Sequence, residues 1–242
     1  MTFDKLYKCQ DAVLSKVFCF EDRLFPATEI ILGGGTALAR CYLHHRISHD
    51  LDFFVSRRFD PNLILIRLKN EGIILFEVEV ENDPNFAAQL FGIVEEGGLQ
   101  IKVSFIEDIY TGMFPVSEVE GIRTETIEGL YHRKIRTISG SGEAETSTGR
   151  LISQGNRQTA RDLFDLYVLS RGIKPIGDFL TEINRHGANV SEIAVESGMK
   201  RMPWIDLMDE FDTLEVTDNY KGLGLLDIKR YFDDVLNLSK KL

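Results

Sequence analysis

The 242-residue chain carries 28 Lys and Arg against 38 Asp and Glu, a net charge of −10. That balance excludes a broadly basic surface of the kind that coats nucleic acid, and leaves room for a local basic cleft. Hydrophobic residues at 43% and charged residues at 27% suit a globular protein with a core of its own.

The three cysteines, Cys9, Cys19 and Cys41, match no zinc spacing and read as reduced thiols. The opening MTFDKLYKCQDAV has no apolar stretch after a basic start, so no signal peptide is expected there. No apolar run approaches the roughly 20 residues of a membrane helix, and a cytoplasmic location without membrane partners is the expectation.

Residues 4–20 place Leu6, Val13, Leu14, Val17 and Phe18 at helical spacing. A short apolar run, Ile30-Ile31-Leu32, ends in Gly33-Gly34-Gly35. Thr36 follows and can cap a helix over about 36–45. Leu51–Val55 reads as a short strand and 61–70 as a helix. Over 73–81, Phe76, Val78 and Val80 alternate with Glu77, Glu79 and Glu81, which predicts a half-buried strand.

Residues 90–106 predict a hairpin about Gly97-Gly98, since a tight turn needs positive φ angles. Beyond about residue 120 the spacing becomes helical. The Gly-, Ser- and Thr-rich stretch 139–156 reads as a mobile loop. Helices are expected over roughly 157–171, 175–185, 189–199, 204–213 and 224–239. The pattern predicts an α+β fold: a mixed-sheet domain over 1–120 and a helical domain over 121–242. Trp204, Phe211, Tyr220, Tyr231 and Phe232 read as helix-packing residues.

The chemistry concentrates in 33–54, GGGTALARCYLHHRISHDLDFF. Glycines after a strand leave backbone N–H groups uncovered, a seat for phosphate. The stretch lacks the Lys-Ser/Thr pair of a P-loop, and Leu38 occupies the third-glycine position of a Rossmann motif. Asp50 and Asp52, two apart in extended chain, point to one face. Paired carboxylates repel unless a cation sits between them, and hard oxygen ligands suit Mg²⁺ or Mn²⁺. His44, His45 and His49 flank the acids. Arg40, Arg46, Arg57 and Arg58, and further on His132, Arg133, Lys134 and Arg136, add positive charge near the motifs, as a polyphosphate or RNA substrate would want.

The Gly-Gly-Thr turn followed by Asp-x-Asp resembles the nucleotidyltransferase signature. GGTALA at 34–39 with Tyr42-Leu43, Arg46, Ser48 and DLDFF at 50–54 is similar, more narrowly, to the AbiEii/AbiGii toxin family. Glu128-Gly129-Leu130 leading to Lys134, then Arg161-Asp162-Leu163-Phe164-Asp165-Leu166-Tyr167, matches that family's later element.

The resemblance implies a transferase that moves a nucleoside monophosphate from an NTP to an acceptor hydroxyl, such as a tRNA 3′ end, and is opposed by a cognate antitoxin. It implies metal ligands at Asp50 and Asp52, phosphate contacts from Gly34, Gly35, Thr36, Arg46, Ser48 and Arg161, and a phosphate-neutralising Lys134. Polymerase-like relatives carry a third carboxylate on a later strand. Strand 99–106 offers Lys102 and Ser104 instead, so either Asp162 or Asp165 completes the site or metal binding is weaker. Arg157 and Arg161, one helical turn apart, can meet phosphates, and Arg161 to Asp165 is also an ordinary ion-pair spacing. Two other classes fit an Asp-x-Asp chain: a metal-dependent nucleotide-sugar transferase and a non-catalytic nucleotide-binding module.

Overall fold

The computed structural model describes residues 3–139, 142–145, 151–154 and 159–236. The chain divides into two compact units. The first comprises 1–37, 48–126 and 143–153; the second comprises 38–47, 127–142 and 154–242.

The first unit opens with α1 (Phe3–Cys19) and the short α2 (Glu21–Leu24). Strand β1 (Ile30–Leu32) leads through the glycines into α3 (Gly34–Ala37), and β2 (Leu51–Val55) follows. Helix α4 (Pro61–Asn70) starts where the sequence predicts, because Asp60 accepts from the Asn62 N–H at 2.9 Å and Pro61 occupies the first turn. Strands β3 (Phe76–Glu81), β4 (Gln89–Glu96), β5 (Leu99–Glu107), β6 (Val116–Val119) and β7 (Ile122–Glu125) complete a seven-stranded sheet of order β3-β4-β5-β2-β1-β7-β6. The pairs β2/β5 and β1/β7 are parallel and the others antiparallel.

One sheet face is the core. Leu51, Phe53 and Val55 are buried there with Val103 and Phe105. Phe53 stacks on Phe105 at 5.1 Å and takes the edge of Phe18 from α1 at 5.8 Å. The β4–β5 turn forms as predicted, with Gly97 and Gly98 at φ +57° and +74°. Strand β3 differs from expectation: Phe76, Val78 and Val80 are 51%, 36% and 46% exposed. It is the terminal strand, pairs only with β4, and carries a register shift between Phe76 and Glu79 where Glu77 takes φ +49°. Alternation shows which side chains share a face, not whether another layer covers it.

In the second unit the predicted helix over 36–45 does not form as one α-helix. After α3, which belongs to the first unit, Leu38–Leu43 makes a π-helical turn, and His44 at φ +47° ends it. Helices α5 (Ile127–Ser139), α6 (Ala160–Gly172), α7 (Ile176–Arg185), α8 (Glu192–Lys200), α9 (Met208–Asp212) and α10 (Leu225–Val235) follow. Between α5 and α6 in the chain, part of the stretch expected to be a loop pairs as β8 (Gly142–Glu145) and β9 (Leu151–Gln154), a separate two-stranded sheet whose residues 143–153 belong to the first unit.

Helix α6 is the centre of this unit, buried on nearly every side from Asp162 to Ser170. Phe164 meets the edges of Phe211 and Tyr220 at 6.0 and 5.3 Å, and Tyr131 of α5 stacks on Phe179 of α7 at 4.1 Å. The late aromatics thus pack helices, as their spacing predicts.

Helix α8 meets α5 at Gly198, where an added Cβ would lie 1.9 Å from the Ile138 carbonyl oxygen. Helix propensity alone favours alanine there by about 1 kcal/mol. The clash with backbone outweighs that preference, so Gly198→Ala is expected to cost about 1–3 kcal/mol, read from the urea unfolding midpoint. A stabilised variant would show that the two helices separate freely.

Candidate functional site

The glycine turn is dictated by its neighbours on β2. Leu32 pairs with Phe53, and the Gly33 N–H donates to the Asp52 carbonyl at 2.8 Å. A Cβ on Gly33 would stand 2.2 Å from the Phe54 ring. On Gly34, at φ +63°, it would stand 2.4 Å from Asp52 Oδ2. A side chain at 34 fails twice, on backbone conformation and on space. The result is bare backbone lying against a half-buried carboxylate.

Thr36 does not cap a helix start. It sits inside α3, buried, and its hydroxyl reaches Ser48 Oγ at 2.8 Å and the Asp50 carbonyl. The buried Gln10 amide of α1 donates to the carbonyls of Ser48 at 2.9 Å and His49 at 3.2 Å. The segment that delivers Asp50 is therefore tied to the glycine turn on one side and to α1 on the other. Gly35 and Asp50 are half-buried.

Strand β5 forms the next wall. Asp52 is in register with Ser104, whose buried hydroxyl donates to Asp52 Oδ1 at 2.6 Å. Lys102, two residues earlier on the same face, is exposed. A groove of about 350 Å³ lined by Val13, Lys16, Ile74, Phe76, Glu95 and Gly97 shares none of these residues.

A second group of motif residues gathers within the helical unit. Asp165 is wholly buried and both its oxygens are engaged. Oδ1 accepts from His45 Nε2 at 2.7 Å and Arg46 Nε at 2.6 Å; Oδ2 meets Arg46 at 2.8 Å and Lys134 Nζ at 2.7 Å. Lys134 also bonds Asp162 Oδ1 at 2.6 Å, and Thr159, the N-cap of α6, donates to Asp162 Oδ2 at 2.7 Å.

Burial alone would raise the carboxyl pKa of Asp165. Arg46 and Lys134 outweigh it and hold Asp165 well below the usual carboxylate range; Asp162 is lowered in the same way, mainly by Lys134. Burial would depress Lys134, but the two carboxylates raise it above the ordinary lysine value. Burial keeps His45 neutral by lowering its pKa against the pull of Asp165. Burial, with help from Arg136 and Arg133, presses His132 down to about 3.

These contacts change several expectations. Arg46, expected at a phosphate, is buried, with its guanidinium on Asp165 and on the Ile47 carbonyl at 2.9 Å. Asp165, expected to complete a metal site or to pair with Arg161 at the surface, is saturated inside the protein. Lys134 lies between two carboxylates rather than open to phosphate. Arg58 is taken by Glu107, Phe86 and Asn82, and Arg136 by His132 and Ala188. Arg161 approaches Glu210 at 4.0 Å, and Arg157 lies outside the described residues.

No three His, Cys, Asp or Glu side chains cluster to hold a metal among the described residues. The missed contributors are Gln10 and Ser104. Ser104 had a visible signal, its place on the polar face of an alternating strand; Gln10 had none.

A Gly-Gly-Thr turn is thus packed against an Asp-x-Asp strand within a mixed sheet. The family described as "Nucleotidyl transferase AbiEii toxin, Type IV TA system" matches residues 20–214, and the chain belongs to that family of nucleotidyltransferase toxins.

The crystal structure of JHP933 from Helicobacter pylori is 18% identical, with a TM-score of 0.53 over 100% of this chain and 96% of that one, a likeness of fold. MenT4, the nucleotidyltransferase toxin Rv2826c from Mycobacterium tuberculosis H37Rv, is 15% identical, with a TM-score of 0.49 over 98% and 83% of the two chains. A glutamate 5-kinase of Neisseria gonorrhoeae (strain NCCP11945) is 28% identical over 125 residues, 51% of this chain and 40% of that protein. The match thus spans less than half of that relative's length. Among the described residues no helix is long and apolar enough to cross a membrane.

Breaking a buried ion pair by removing one partner costs about 3–5 kcal/mol, so Asp165→Asn is expected to lose that much stability at pH 7. The pH dependence has a definite sign. The Asp165 contribution is complete above the unfolded carboxyl value of 3.8 and is lost as pH falls through the lower folded value. The Lys134 contribution is complete below 10.5 and is lost as pH rises through the higher folded value. His45 penalises the fold once pH drops beneath 6.5, where only the unfolded chain takes the proton. Urea unfolding against pH should show wild type losing more stability than Asp165→Asn below about pH 4. Equal unfolding midpoints would remove the network from the stability account.

Proposed function

We propose that this protein transfers a nucleoside monophosphate from an NTP to an acceptor hydroxyl, that the acceptor is the 3′ end of a tRNA, and that a cognate antitoxin opposes the reaction. The observation that carries this reading is the Asp52 carboxylate set against the side-chain-free backbone of Gly34, in a chain of the AbiEii family. Asp50 and Asp52 offer hard, half-buried oxygens, the donor chemistry that Mg²⁺ or Mn²⁺ prefers. When bound, such an ion neutralises charge on the triphosphate and orients the α-phosphate for in-line attack.

The chain's own residues do the positioning. Gly34 and Gly35 let phosphate oxygens approach backbone. Thr36 and Ser48 act one step back, holding the Asp50 peptide rather than the nucleotide. In the second unit, Arg161 is half-buried and approaches Glu210 at 4.0 Å. Lys134, Asp162 and Asp165 with Arg46 act as a buried frame for α5, α6 and the segment 45–47.

A non-catalytic nucleotide-binding role is favoured by one observation, the absence of a three-carboxylate cluster among the described residues.

The test is label transfer from each α-³²P NTP to bulk tRNA with Mg²⁺, for wild type and Asp52→Asn. Label from wild type alone is the expected result, with equal thermal unfolding midpoints for the two proteins. Label from a folded Asp52→Asn protein would remove the metal-ligand role of Asp52. Mg²⁺-independent NTP binding without label would establish the non-catalytic role.

A further inference from the structure

We propose that Ser104 is a positioning residue for this reaction: its hydroxyl fixes the Asp52 carboxylate through Oδ1 and so presents Oδ2 to the cation. This rests on the transfer reading above and adds to it a residue from a strand that carries no acid on this face.

The two oxygens of Asp52 are not equivalent. Ser104 Oγ lies 2.6 Å from Oδ1, an ordinary length for a hydroxyl donating to a carboxylate. Ser104 is only 4% exposed, so water has little access to replace the bond. Oδ2 lies on the other side, where the Gly34 backbone passes so closely that no Cβ fits. A carboxylate's terminal torsion is broad and roughly two-fold, and a hydrogen bond to one oxygen opposes the exchange of the two.

The placement comes from the sheet rather than from a loop. Asp52 and Ser104 are paired residues of adjacent parallel strands, and the pairing continues on both sides, from Leu51 with Val103 to Val55 with Glu107. A one-residue slip would turn Ser104 into the core and Val103 or Phe105 onto Asp52. A hydroxyl at this position donates to the carboxylate without adding a charge.

The residues that orient metal ligands set affinity over about 10- to 100-fold. Full-length Ser104→Ala is therefore expected to bind Mn²⁺, followed by electron paramagnetic resonance, about 10- to 100-fold more weakly than wild type. Half-activation by Mg²⁺ should move to higher concentration by a similar factor, with kcat at saturating Mg²⁺ largely kept. Ser104→Thr, which retains the hydroxyl, should recover most of the affinity. Thermal unfolding of each variant separates these effects from misfolding.

If wild type binds Mn²⁺, Asp52→Asn abolishes it, and a folded Ser104→Ala protein binds as wild type does, the role of Ser104 is overturned while the transfer reading stands. If wild type neither binds Mn²⁺ nor labels any acceptor, both fall together.

Discussion

The site depends on a close approach. Where β1 ends, the backbone passes so near to β2 that the Phe54 ring occupies the place of a side chain at 33, and the Asp52 carboxylate the place of one at 34. The glycines are thus required by packing before any ligand is considered. Once the turn is seated, the rest follows by short bonds. Gly33 closes the ladder to Asp52, Thr36 holds Ser48 and Asp50, and Gln10 holds the two carbonyls before Asp50. The bare backbone that a phosphate needs is a by-product of a strand crossing with no room for a Cβ.

Charge is used differently in the two units. In the first, Asp50 and Asp52 are half-buried, and Ser104 steadies one of them without neutralising it. In the second, Asp162 and Asp165 are buried with Arg46 and Lys134, two negative charges against two positive, beside a neutral His45. Desolvating four charges is costly, and the attraction offsets it only when nearly every oxygen and N–H has a partner. The bidentate contact of Arg46 on Asp165 meets that condition. Carboxylates so fully engaged belong to the frame of the protein, whatever their place in a motif.

The sequence carried local features well. Helix α1, helix α4 and the β4–β5 hairpin follow from periodicity and turn chemistry over a few residues each. Non-local features stayed hidden. The apolar stripe of β3 was readable, but the lack of a covering layer was not, because cover comes from elsewhere in the chain. Residues 36–45 read as helix, yet the chain there changes from α to π within one run. The short pair β8 and β9 was obscured by Gly, Ser and Thr.

At the site, the Gly turn and Asp-x-Asp were legible as a unit. The spacing of Asp162 and Asp165 showed only that they share a helix face. Their bonds to Arg46 and Lys134 span up to 119 residues, a pairing no local pattern encodes.

The Arg46–Asp165 contact also limits how the polypeptide can be divided. A cut between β7 and α5 is the natural place to separate a sheet-bearing fragment from a helical one. That cut would leave Arg46 in the first fragment with its countercharge in the second. Residues 38–47 fold with the helices although they are encoded among the strands. Neither fragment would be electrically self-sufficient, because the second unit is assembled from both sides of that cut.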